Sequence, residues 1–266
     1  MNAEELYRRL DALYAADDAK GAYRLLCEQK SEAERTGDDT LALAAANSLM
    51  GHCRENCLFD EVDGHYREAL RCIDALGLRG TLDEAATLLN AATVFCVMGR
   101  QEQSEELYDR AERLYLRLSE PGDARVAAIY NNKGLLFRSR GEREKAYASF
   151  AKALALLTER NGPADELAAS RLNLASVCGE LSEAEELAGL AAAYYDTPEG
   201  RTDIHRFTAA ALQAELAYRR GEYARAGELF EKTADEWISA GGAKQRTAVL
   251  LRNALHCCEK AAASAD

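Results

Sequence analysis

A pair of residues keeps returning along this chain, and its period narrows the possible folds more than any other property. An aromatic side chain followed three places later by a small one occurs at Tyr66/Ala69, Tyr108/Ala111 and Phe150/Ala153, at a spacing of 42 residues. Phe230/Thr233 follows 80 residues on, room for two units. Turn glycines keep the same beat: Gly99 in MGRQE, Gly141 in RGERE and Gly221 in RGEYA each close one apolar-periodic segment and precede another. Such a period belongs to architectures that stack one supersecondary unit on the next, because a single unit cannot bury its apolar face alone.

Between the breaks, apolar residues recur every three or four positions, as in Leu107, Ala111, Leu114 and Leu118, and in Phe150, Ala153, Leu154 and Leu157. β-Branched residues are sparse and no alternating strand pattern occurs. Pro121, Pro163 and Pro198 all sit in short glycine-containing loops, SEPGD, RNGPAD and DTPEG, and none falls inside an expected helix. These signals predict about thirteen helices, paired as six hairpins plus a final helix near residues 243 to 262. On that last helix, Val249, Leu250, Ala254, Leu255 and Cys258 are expected to share the face that caps the stack.

The segment YNNKGLLFRSRGEREKAYASFAKAL, residues 130 to 154, resembles the tetratricopeptide repeat, with Gly134, Phe137, Gly141, Ala146, Phe150 and Ala153 at that motif's spacings. The 42-residue period is similar to the longer-helix variant of kinesin light chains and many bacterial members. The motif's tryptophan is replaced by Ala46, Leu88, Tyr130 and Ala210, and the unit at 164 to 196 has a shorter, irregular turn. The resemblance implies an all-α fold, a right-handed superhelical α-solenoid of about six helical hairpins plus a C-terminal capping helix. Residues 1–266 then form a single solenoid: a degenerate hairpin at 1–37, repeats over 38–242 and the cap at 243–262.

Composition excludes several functional classes. A net charge of -12, from 45 acidic and 33 basic residues, disfavours nucleic acid as a partner, and no basic cluster offsets it. No apolar run approaches the ~18 residues needed to span a bilayer, and MNAEELYRRLDALY lacks a signal-peptide pattern, so a cytoplasmic, non-membrane protein is expected. Eight cysteines without a dense framework are expected to stay reduced.

His52, Cys53, Cys57 and His65 are close in sequence, yet Cys53 and Cys57 lack the two-residue spacing of zinc knuckles and no second ligand pair follows. Cys53, Cys178 and Cys258 instead fall where other units place Phe95 and Phe137, which predicts small core hydrophobes; no metal or cofactor is expected. Of the eight, the vicinal Cys257 and Cys258 are the best placed for a reactive thiol. No nucleophile, base and orienting group can be assembled, so the chain is not expected to be an enzyme.

A row of asparagines is the sharper signal. Asn90, Asn132 and Asn173 recur at spacings of 42 and 41, with Asn47 or Ser48 before them and Asn253 two units on, and Arg54, Arg138 and Arg219 follow one or two turns along their helices. The resemblance places the first helix of each hairpin on a concave surface, where such amides hold a ligand's backbone; arginines beside them suit a carboxylate. Alternatively, the amides fix neighbouring hairpins to one another. The expected function is a protein-interaction adaptor binding a peptide or protein segment. A receptor for a small signalling peptide is the second reading, a thiol- or metal-dependent enzyme the third, and oligomeric state is open.

Overall fold

In the computed structural model, residues 1–120, 123–241 and 244–264 are described, with side chains on the last helix from Arg246 onward. Among them every regular element is helical, as the periodicity requires: thirteen α-helices and two 3-10 turns. The chain divides into two compact units, Met1–Asn132 and Lys133–Asp266.

The first unit contains α1 (Ala3–Ala15), α2 (Ala19–Thr36), α3 (Asp39–Asn56), α4 (Val62–Ala75), α5 (Leu82–Val97), α6 (Gln101–Leu118) and the start of α7 (Ala124–Ser139). Helix starts are set by local chemistry: Asn2, Asp18 and Asp38 each accept a backbone N–H three residues ahead, satisfying donors that the first turn leaves free. The core is dominated by small residues on α3 and α5, among them Ala45, Ala46, Ala91 and Ala92, with Leu49, Leu88 and Phe95 in the gaps. On α6 the buried face is Leu107, Tyr108, Ala111 and Tyr115, whereas Leu118 is exposed, contrary to its spacing. At 3.6 residues per turn, a strict four-residue step drifts off a straight seam, and Tyr115 takes the inward position.

The second unit continues α7 and adds α8 (Arg143–Glu159), α9 (Ala164–Val177), α10 (Leu181–Tyr195), α11 (Arg206–Arg219), α12 (Tyr223–Ser239) and α13 (Lys244–Ala263). Gly134 of α7 meets the Phe150 ring so closely that a Cβ there would lie 2.4 Å from it, so the small-residue position is fixed by close helix approach. Gly99, Gly141 and Gly221 all take the left-handed conformation, at φ 79, 74 and 81°. In each case the next residue donates its N–H to the carbonyl five back, as Arg100 does to Phe95, Glu142 to Phe137 and Glu222 to Ala217.

The irregular turn at the end of α9 has a different solution. Cys178 is extended, and the exposed carbonyls are taken by arginines: Arg143 donates to Val177 O and Cys178 O at 2.7 and 2.8 Å, and Arg219 to Cys178 O and Gly179 O at 3.1 and 2.8 Å. Pro163 stands immediately before α9 and Pro198 between α10 and α11; Pro121 lies outside the described residues.

The last helix corrects one expectation. Its inward face is Leu250, Ala254 and Cys257, while Val249, Leu255 and Cys258 are exposed. Leu250, Ala254 and Cys257 are four and three residues apart, a helical stripe; the expected set straddled two faces. Cys53 and Cys178 are buried as expected of core thiols, whereas Cys258 is not. All eight cysteines are free. No described helix is long and apolar enough to cross a membrane.

Candidate functional site: a concavity lined by first helices

All five asparagines stand on the first helix of a hairpin or its equivalent, α3, α5, α7, α9 and α13, but their side chains have different surroundings. In the first unit, Asn47 donates to Thr87 Oγ1 at 3.1 Å and Asn132 to Thr93 Oγ1 at 3.5 Å, each reaching the first helix of the adjoining hairpin. Thr93 also receives the Tyr108 hydroxyl at 3.2 Å. These amides therefore hold neighbouring hairpins together through threonine side chains, not through the backbone. Asn90 is exposed, and Arg54 pairs with its neighbour Glu55 at 3.1 Å.

In the second unit, Asn173, Asn253 and Arg138 converge on one cavity of about 490 Å³. Its walls are the first helices α7, α9, α11 and α13, with Phe230 and Cys257 at the base. Leu172, Ala211, Leu212, Val249 and Leu250 supply an apolar floor. Polar groups stand around it: Ser176 accepts from Arg138 Nη1 at 2.8 Å, Thr208 accepts from Arg246 Nη2 at 2.8 Å, and Tyr218 OH lies 3.1 Å from His256 Nε2. Arg246 also stacks over the Trp237 ring, 4.8 Å from its centroid, which fixes the guanidinium without a carboxylate. Arg219 lies outside this lining, occupied with the end of α9.

The cavity carries two arginines, Arg138 and Arg246, and one carboxylate, Glu215, in its lining. Desolvation by the surrounding protein holds Arg138 and Arg246 below the usual arginine pKa; only Glu215 opposes this at Arg138. Glu215 is itself raised by desolvation, against the lowering influence of Arg219, Arg138 and Arg143. An apolar floor ringed by a few oriented donors and acceptors is the general form of a binding site for a small ligand or peptide side chain. The sequence pointed to Asn173, Asn253 and Arg138; it missed Ser176, Thr208, Glu215, Tyr218, Arg246 and His256, which carry no repeat signal.

The other reading set out from sequence was a metal or thiol centre. His52 and Cys57 do not form one: His52 is buried, stacked on Tyr23 and bonded by Tyr14 OH and Asn56, while Cys57 is exposed. Cys53 and His65, however, come together with Glu61, each offering a donor atom within 4.8 Å of the other two. Burial raises the Cys53 thiol to about 11, and burial likewise raises Cys257, so neither is poised as a free nucleophile.

The tetratricopeptide repeat family profile matches residues 83–159. Residues 83–159 therefore carry tetratricopeptide repeats. Solved structures agree on the fold across most of the chain's length. BtubC (BKLC) from P. vanneervenii is 25% identical, with a TM-score of 0.62 over 71% of this chain and 78% of that one. The Rap protein, solved in complex with Competence and Sporulation Factor, is 16% identical, with a TM-score of 0.62 over 97% of this chain and 75% of its own. The apo quorum sensor NprR from B. thuringiensis is 11% identical, with a TM-score of 0.59 over 96% and 77%. Among curated proteins no sequence matches it. Tetratricopeptide-repeat proteins are generally non-catalytic interaction scaffolds, and the fold of this chain supports a role in protein interaction.

Proposed function

We propose that the chain is a cytoplasmic adaptor that captures an extended segment of another protein in the cavity of its second unit. The observation that carries this reading is the convergence of Asn173, Asn253 and Arg138 over an apolar floor. A carboxamide both donates and accepts, matching a peptide backbone, and the apolar floor takes a side chain. Arg138 and Arg246 have no carboxylate hydrogen-bonded to them, and the single Glu215 in the lining answers only part of their charge, which favours a carboxylate on the ligand.

The test is fluorescence anisotropy with short peptides that place an apolar residue beside an acidic one. Replacing Asn173 and Asn253 with alanine together is expected to weaken capture about tenfold or more, at about 0.5–1.5 kcal/mol per hydrogen bond, with the melting temperature almost unchanged. Asn47→Ala and Asn132→Ala should do the reverse, lowering stability and sparing binding. Parallel loss of binding and stability in the Asn173/Asn253 variant would make those residues structural.

A receptor for a small signalling peptide is the second reading, supported by likeness in fold to the Rap protein, whose complex contains Competence and Sporulation Factor, and to the quorum sensor NprR. It differs in what binding does. A signalling peptide should raise the melting temperature progressively with its concentration and alter capture of a second protein, whereas an adaptor's segment is itself the partner.

A further inference from the structure

The corner between α3 and α4 holds a second, independent arrangement. Helix α3 ends at Asn56 with Cys57 in the left-handed conformation, and a 3-10 turn, Phe59–Glu61, runs directly into α4. This path returns the first turn of α4 to the last turn of α3. It sets Cys53, Glu61 and His65 around one point, although the sequence spaces them by eight and four residues.

The two buried histidines in this region differ in a telling way. His52 has a partner at each ring nitrogen, Tyr14 OH at Nδ1 and Asn56 Nδ2 at Nε2. His65 is equally buried, yet neither of its nitrogens has a hydrogen-bond partner; Nε2 stops 3.6 Å from Glu61 Oε2. An unsatisfied buried polar group of this kind costs about 1–3 kcal/mol, so its persistence calls for an occupant between the donors.

We infer that Cys53, Glu61 and His65 bind a divalent zinc ion, with the fourth coordination position left to water. The donor set of thiolate, imidazole and carboxylate suits zinc, and three protein ligands plus one open position is a recurrent zinc arrangement. Dimensions agree. A cation at the centre of a triangle with sides up to 4.8 Å lies at most about 2.8 Å from each corner, so shifts of at most about 0.8 Å bring the donors to the usual ~2.0–2.3 Å. The 3.6 Å between His65 Nε2 and Glu61 Oε2 is already near the ~3.4 Å separating two such ligands in a tetrahedron.

Supporting groups are present. Tyr23 OH donates to Glu61 Oε2 at 2.8 Å and orients the carboxylate from α2. On binding, the Cys53 thiol releases its proton to solvent and the thiolate bonds the ion. The ion would tie the end of α3 to the start of α4.

The test titrates zinc into chelator-treated full-length protein against a chromogenic competitor, then repeats the titration with cobalt to read a thiolate-to-metal charge-transfer band. One ion per chain is expected for the wild type and for Cys57→Ser, whose exposed thiol is the control. Cys53→Ser and His65→Gln should each bind at least about 100-fold more weakly, and Tyr23→Phe about tenfold. Because Cys53 and His65 are buried, Glu61→Gln, at a partly exposed position, is assayed alongside with circular dichroism. A folded Glu61→Gln protein that binds as the wild type does overturns the site. So does wild-type protein that takes up no stoichiometric zinc, or a cobalt spectrum without the thiolate band. None of these outcomes bears on the second-unit cavity, so the adaptor reading stands or falls separately.

Discussion

Single residues in this chain matter mainly where the repeat leaves a polar group to be satisfied. Glu84, in the first turn of α5, is the clearest case: its carboxylate is almost fully buried, accepts the Gly80 N–H at 2.7 Å and pairs with Arg79 and Arg110 at 3.0 and 3.2 Å. Burial alone would raise its pKa, but the Gly80 N–H and the Arg79 and Arg110 guanidiniums together outweigh it and hold the value below that of an ordinary glutamate. A carboxyl depressed in the folded state stabilises above the unfolded pKa, and that stabilisation is lost as pH falls through the folded value. Glu84→Gln is therefore expected to cost about 1–3 kcal/mol at neutral pH, less than a fully buried pair because both arginines are partly exposed. In calorimetry the gap in melting temperature between the two proteins should shrink as pH falls below the usual glutamate value of about 4.3. A gap that stays constant down to strong acid would mean that lost packing, not charge, is responsible. The asparagines teach a related lesson: one residue type in one helical register bonds across to Thr87 and Thr93 at Asn47 and Asn132, and lines a cavity at Asn173 and Asn253.

At the scale of helices, the repeat works through close approach. Gly134 allows α7 to lie against Phe150 of α8, and no side chain fits between them. Gly134→Ala is expected to cost about 1–3 kcal/mol by overpacking, and Phe150→Leu added to it should recover part of the loss. Urea denaturation of the single and double variants measures both, and an alanine variant as stable as the wild type would show that the helices separate freely. The turn after α9 shows how an element tolerates a missing signal. Without a left-handed glycine, the last carbonyls of α9 are satisfied by Arg143 from α8 and Arg219 from α11, so a break in the sequence pattern does not become a break in the helical order.

For the whole molecule the dominant property is its charge of -12 with a pI near 5.0. Self-repulsion keeps the helical surfaces apart near neutrality, and exposed apolar residues such as Leu116, Ile204 and Leu255 add a tendency to associate once that repulsion is gone. Light scattering is expected to show a solubility minimum at about pH 5, with recovery on either side. An unchanged scattering profile from pH 4 to 7 would show that charge is not what keeps the chain dispersed.

The helical class, the pairing into hairpins, the turn glycines and the small positions of the repeat were all legible along the chain. Those are local: a glycine in the left-handed region or an alanine at a contact is required wherever the unit recurs. The sequence did not determine the face of α13, where a one-residue difference in register moves Cys257 inward and Cys258 outward. Nor did it reveal which amides have partners, or that Cys53, Glu61 and His65 meet at a corner. Those depend on what stands opposite each side chain, and only tertiary packing brings residues from different helices to one place. The same reason hid Arg246 and Tyr218: they belong to no period, and line the cavity only because α11 and α13 both border it.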